Sequence, residues 1–143
     1  MPVSFTIGSF HDDALKFWEP NAPGFKERAE ALKYAYDNGW ETSVSCEPYL
    51  DSDIEHLVIR LLPFIVDTIW IGKMNMIPSR VKDPRVNNID WTKGEPKERL
   101  DEVYRCQSDA VVWNLYNNLK NTEKVRWKDS IKKVIGLNEE AIG

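Results

Sequence analysis

A serine, a glutamate and a lysine that each close a short, mostly apolar stretch are the residues best placed to do chemistry. Ser9 follows Val3-Ser4-Phe5-Thr6-Ile7-Gly8, Glu47 follows Thr42-Ser43-Val44-Ser45-Cys46, and Lys73 follows Thr68-Ile69-Trp70-Ile71-Gly72. A hydroxyl donates and accepts, a carboxylate accepts from hydroxyls or an ammonium group, and a lysine pairs with a carboxylate or a phosphate. Gly72 lets a flat ligand come close to the backbone. Lys73, a charge directly after a buried strand, needs a partner. Glu47 has a second reading, capping the turn at Pro48 or pairing with a neighbouring lysine. Ser43 and Ser45 likewise have a structural one, satisfying backbone groups in a narrow interior.

Other reactive side chains form no pattern. His11 and His56 are isolated and show no metal-ligand spacing, so no metal is expected. Asp12-Asp13 resembles a carboxylate pair, but adjacent acids at a helix start usually answer the helix dipole. Lys124, Arg126, Lys128, Lys132 and Lys133 read as a solvated basic face, with nucleic-acid contact the weaker alternative.

The elements that position these residues follow from periodicity. Residues 3–9, 42–47 and 68–72 alternate apolar with polar or small side chains, as strands with two unlike faces do. Parallel strands covered on both sides read as nearly continuous apolar runs, so the repeated polar face is not ordinary core and is expected to line a cavity. Between the strands lie a helical turn at 12–18, a helix from Pro23-Gly24 to Asn38 that stops at Gly39, and a helix entered through the capping-box pattern Ser52-x-x-Glu55 and ended by Pro63. Strand, helix, strand, helix, strand predicts parallel neighbours joined by right-handed crossovers, with binding groups at the C-terminal strand ends. Those ends are Gly8-Ser9, Glu47-Pro48 and Gly72-Lys73-Met74-Asn75.

The expected fold is therefore α/β: a parallel βαβαβ half-barrel, or partial TIM-like barrel, with additional C-terminal helices. One domain spans 1–143, with the βαβαβ unit in 1–75, a long loop in 76–95 that could fold over the cavity mouth, and helices in 96–143. The predicted helices there cover 96–119, with Leu100, Val103 or Tyr104, Val111, Leu115 and Leu119 on one stripe, and 125–135, stopping at Gly136.

Composition narrows the classes. A net charge of −4 gives no whole-molecule attraction to nucleic acid or an anionic membrane. The start lacks the basic flank and apolar segment of a signal peptide, and no apolar run approaches the ~20 residues of a membrane span, so a cytoplasmic protein is expected. Cys46 and Cys106 have no CxxC partner and suggest neither a disulfide framework nor a zinc motif.

Ser4-Phe5-Thr6-Ile7-Gly8-Ser9, Thr42-Ser43-Val44-Ser45-Cys46-Glu47-Pro48 and Ile69-Trp70-Ile71-Gly72-Lys73-Met74-Asn75 resemble the later strands of radical S-adenosylmethionine proteins, in the branch of DNA repair photolyases similar to spore photoproduct lyase. Phe17-Trp18-Glu19-Pro20, Arg28-x-x-x-Leu32 and Val125-Arg126-Trp127-Lys128-Asp129-Ser130-Ile131 fit the same pattern, so the resemblance covers most of the chain. That superfamily holds a [4Fe–4S] cluster with a C-x3-C-x2-C loop, and a chain with only 2 cysteines lacks it. The resemblance is thus to the C-terminal half of the partial barrel. It implies cofactor-side positions at Ser9, Ser45 and Glu47, facing the ribose and methionyl parts of S-adenosylmethionine, and at Ile71, Gly72 and Lys73, whose backbone would lie along the adenine. It implies no iron–sulfur cluster from this chain alone and no catalysis by it alone.

Three functions follow as alternatives. The first is a radical-S-adenosylmethionine-like half-barrel that keeps a cofactor-side and substrate-side wall; the second is a non-catalytic binding module for a nucleotide-like ligand, or an interaction scaffold. The third, a hydrolase using Glu47 and Asp51 as acid and base, lacks a supporting His, Ser or metal constellation. The first strand should be an edge, and an exposed edge with a polar wall recruits partners. The expectation is self-association or docking to a separate N-terminal half-barrel chain, unless helix 96–119 covers that wall.

Overall fold

Alternation in the strands decides which side of the sheet is covered. The computed structural model describes residues 2–74, 77 and 89–136. Four strands, β1 (Pro2–Thr6), β2 (Glu41–Cys46), β3 (Ile69–Ile71) and β4 (Val125–Trp127), form one parallel sheet in the order β1-β2-β3-β4. Six helices accompany them among the described residues: α1 (Asp12–Trp18), α2 (Phe25–Asp37), α3 (Ile54–Leu61), α4 (Gly94–Cys106), α5 (Asp109–Leu119) and α6 (Asp129–Ile135). The architecture is α/β.

One face of the sheet is core. Val44 and Cys46 of β2, Ile69 and Ile71 of β3, and Val125 and Trp127 of β4 are buried together with Leu32 of α2, Leu57, Val58 and Leu61 of α3, Val112, Leu115 and Leu119 of α5, and Ile131 and Ile135 of α6. Full burial of such a side chain stabilises by roughly 1.5–3 kcal/mol. Thr42 is the polar residue in this row, and its hydroxyl is satisfied twice, donating to the Phe64 carbonyl at 2.6 Å and accepting from Val66 N–H at 2.9 Å. The first half of the chain thus follows its periodicity closely, including the α1 turn and the stop at Gly39, which adopts φ +77°.

Three expectations are corrected. Residues 125–127 form β4 rather than the first turn of a helix: Val125 and Trp127 face the core while Arg126 is exposed, and α6 begins only at Asp129. Helix 96–119 is two helices, because the chain breaks at Gln107-Ser108; the break shifts the phase, so that Val112 rather than Val111 enters the core. α5 packs on the apolar side of the sheet through Val112, Leu115 and Leu119 and so does not cover the polar face, while Leu100 and Val103 of α4 join Ala14 and Leu15 of α1 with Leu50 and Met74 in a second cluster. Finally, Ser52-x-x-Glu55 forms no capping box. Asp53 is the N-cap of α3 and makes no side-chain cap bond, while Ser52 N–H donates instead to Glu102 Oε1 of α4 at 2.9 Å.

The expected long loop at 76–95 lies largely outside the described residues, and its last two positions belong to α4. Asn75 also lies outside them. Among the described residues, no helix is long and apolar enough to cross a membrane.

Candidate functional site

The other face of the sheet carries a connected polar surface. Register places Ser4 beside Ser43, Thr6 beside Ser45, Ser45 beside Trp70, and Trp70 beside Arg126. Ser4, Thr6 and Arg126 are exposed, and Ser43, Ser45 and Trp70 are half-buried. Parity carries this surface past the ends of β2, β3 and β4 to Glu47, Gly72 and Lys128. There the Lys128 ammonium lies 5.3 Å from the Trp70 ring centroid and 3.9 Å from Glu47 Oε1. Glu47 thus has the lysine neighbour that its structural reading called for, with its side chain still 30% exposed. The polar face read from the sequence is present and half-buried at Ser43, Ser45, Glu47 and Trp70, and neither of the two hollows described below lies on it.

Loops after the strands divide the expected site residues. Leu50 N–H donates to the Gly8 carbonyl at 3.0 Å, and Tyr49 N–H to the Gly72 carbonyl at 3.2 Å, so the segment after Glu47 crosses the sheet end between β1 and β3. A Cβ on Gly8 would overlap the Pro48 carbonyl oxygen, so this crossing needs glycine. Ser45, Glu47 and Gly72 stay together on the open side. Ser9 does not join them: it is 1% exposed, its hydroxyl donates to Asp51 Oδ2, and it accepts from His11 N–H at 2.8 Å. The Ile71 side chain is wholly in the core, while its carbonyl accepts from Lys128 N–H at 2.8 Å. Lys73 N–H donates to Ser130 Oγ at 3.0 Å, and its side chain borders a hollow of about 220 Å³ with Met74, Ile77, Tyr104 and Gln107.

A second cluster forms where β1 and β2 run into their loops. His11 Nε2 lies 2.5 Å from Asp53 Oδ2, Asp53 N–H donates to Asp51 Oδ1 at 3.0 Å, and His56 Nδ1 lies 3.6 Å from the other oxygen of Asp53. The hydrogen bond from His11 holds the Asp53 carboxyl below the usual carboxylate range. His11, Asp51 and Asp53 border a cleft of about 480 Å³ whose opposite side is α4, with Glu98, Arg99, Glu102 and Arg105. No local pattern announces this grouping, because its members are some forty positions apart and meet only once β1 and β2 pair. What the sequence offered was the two loops that would carry it.

Other candidates resolve into structure. Asp12 and Asp13 stand in the first turn of α1, as expected of acids at a helix start, and Asp12 Oδ1 also accepts from Phe25 N–H at 2.9 Å at the start of α2. The basic group is largely committed locally: Lys124 to the Ile65 carbonyl, Arg126 to the Glu123 and Val125 carbonyls, and Lys132 to Asp129. Cys46 and Cys106 are both buried in the core, and burial pushes each thiol up to about 12. Neither thiol is placed to hold an iron–sulfur cluster.

No family model, no curated protein and no solved structure matches the chain.

Proposed function

We propose that this chain is one wall of a partial barrel of the radical S-adenosylmethionine kind, and that its open sheet face takes the cofactor or a similar nucleoside-bearing ligand. The observation that carries the reading is the row of Thr6, Ser45, Trp70 and Arg126 across the sheet, continued at the strand ends by Glu47, Gly72 and Lys128. Four parallel strands in sequential order are what a segment of such a barrel contains. In a closed barrel the inward side is packed by the remaining strands; here it carries hydroxyls, a carboxylate and an ammonium group around a single large aromatic ring, Trp70.

The donor set fits an amino-acid and ribose ligand. Glu47 accepts from ribose hydroxyls or an ammonium group, Lys128 pairs with a carboxylate, and the Trp70 ring offers a flat apolar surface. S-adenosylmethionine supplies such groups when bound. The fit fails for the [4Fe–4S] cluster, since both thiols are in the core and belong to separate elements. No reductive step is assigned to this chain.

The same row supports association as a second reading. β1 and β4 are the edges of the sheet among the described residues, and a polar face between two edges favours docking of a second copy or a separate barrel-completing chain. Calorimetric titration with S-adenosylmethionine and S-adenosylhomocysteine separates ligand binding from pure docking. Saturable binding that weakens about tenfold or more in Glu47→Ala is expected. Absence of binding by a folded protein would leave association, measured by light scattering, as the function of the face.

A further inference from the structure

A second site lies in the cleft on the helix-covered side of the strand ends, independent of the open face. We propose that His11, Asp51 and Asp53 bind a first-row divalent cation such as Zn²⁺. One imidazole nitrogen and two carboxylate oxygens lie within 4.8 Å of one another. They come from two separate loops, His11 after β1 and the aspartates after β2. Coordination at about 2.0–2.2 Å would hold such atoms roughly 3.3–3.6 Å apart. The set needs to shift by about 1 Å, and His11 and Asp53 are half-exposed side chains able to do so.

Charge around the cluster favours a cation. Among the described residues no lysine or arginine pairs with Asp51 or Asp53; the two arginines of the cleft are engaged on their own helix, Arg99 with Glu95 at 3.6 Å and Arg105 with Glu102. With Glu102 taken up by Arg105, Asp51, Asp53 and Glu98 present three carboxylates to the cleft without a lysine or arginine partner among the described residues. His11 Nε2 and Asp53 Oδ2, 2.5 Å apart, already converge on the place a metal would take. An imidazole donor beside the carboxylates favours zinc, copper, iron or nickel over magnesium, calcium or manganese.

Two features separate this cluster from a solvated acidic patch. Asp51 is held from behind by the buried Ser9 hydroxyl, the arrangement by which outer groups fix metal-ligating carboxylates. A cleft of about 480 Å³ opens directly onto the three donors. Three protein ligands with open positions toward a cleft is the form of a catalytic rather than a structural zinc site. His56 reaches only the far oxygen of Asp53 and stays outside the donor set.

The test is zinc titration of the chelator-treated full chain, read by calorimetry and by competition with a chromophoric chelator, with cobalt substitution as a spectroscopic check. One equivalent per chain is expected, weakened at least about 100-fold in His11→Ala and in Asp53→Asn, and within about threefold of wild type in His56→Ala. His11 and Asp53 lie at the surface, and circular dichroism verifies that their variants fold. Binding that survives in the folded His11→Ala/Asp53→Asn double variant, or no stoichiometric binding by the wild type, overturns the assignment.

Discussion

Glu47 occupies the space that a side chain at Gly72 would need: a Cβ built there lies 2.5 Å from Glu47 Oε2 and 2.8 Å from its Cδ and Cγ. The glycine at the end of β3 is therefore what allows the carboxylate at the end of β2 to lie across the sheet end, within 3.9 Å of Lys128. Gly72→Ala should cost about 1–2 kcal/mol of stability in urea unfolding, since Glu47 must swing away. In a Glu47→Ala background the same change should be neutral or stabilising, because alanine restricts the unfolded chain by about 0.4–1 kcal/mol. Additive costs in the double-mutant cycle would show that the two residues do not share this space.

Gln107 joins the two strand-end loops to α4. Its amide is 4% exposed, with Oε1 accepting from Met74 N–H and Nε2 donating to the Tyr49 carbonyl, both at 2.9 Å. Gln107→Leu removes one acceptor and one donor at once and leaves two backbone groups without partners. A loss of about 2–4 kcal/mol is expected from chemical denaturation, against less than about 0.5 kcal/mol for an exposed glutamine elsewhere.

Gln107 also shows why the C-terminal half was harder to read than the N-terminal half. The strands and helices of residues 2–64 announce themselves by alternation, by Gly39 and by Pro63, and the structure keeps them. The break between α4 and α5 carries no proline or glycine; Ser108 takes the extended backbone of an N-cap ahead of Asp109, and Gln107 beside it bonds to distant loops, a tertiary interaction that the helical stripe does not announce. β4 was hidden for a related reason, since three residues are too few to show a period against the helix that follows. The polar wall was legible because alternation alone defines a face. The His11–Asp51–Asp53 cluster was not, because only the pairing of β1 with β2 brings its parts together.

Opposite faces of β4 should respond differently to truncation. Trp127 is 8% exposed and lies 5.3 Å, centroid to centroid, from the ring of Tyr116 on α5, whereas Arg126 points to the open side. Trp127→Ala is expected to cost about 3–5 kcal/mol, and Arg126→Ala to stay within about 0.5 kcal/mol. Comparable losses at both positions in thermal or urea unfolding would contradict the strand.

The two thiols give the protein an alkaline limit. Burial raises both to about 12, with the Glu102 and Asp51 carboxylates adding to the effect at Cys106, whereas an unfolded cysteine ionises near 8.5. A group whose folded pKa is raised keeps its contribution below the unfolded value and loses it as pH climbs toward the folded one. Stability should therefore decline between about pH 9 and pH 12, by up to about 1.4 kcal/mol per pH unit for each cysteine. Replacing both residues by alanine lowers stability at neutral pH through the cavities left behind, yet should flatten this slope between pH 9 and 10.5. Iodoacetamide should leave the native protein unlabelled at pH 8 and modify both positions once it is unfolded. Rapid labelling of the native protein would mean that one of the thiols is reached through an opening of the core short of unfolding.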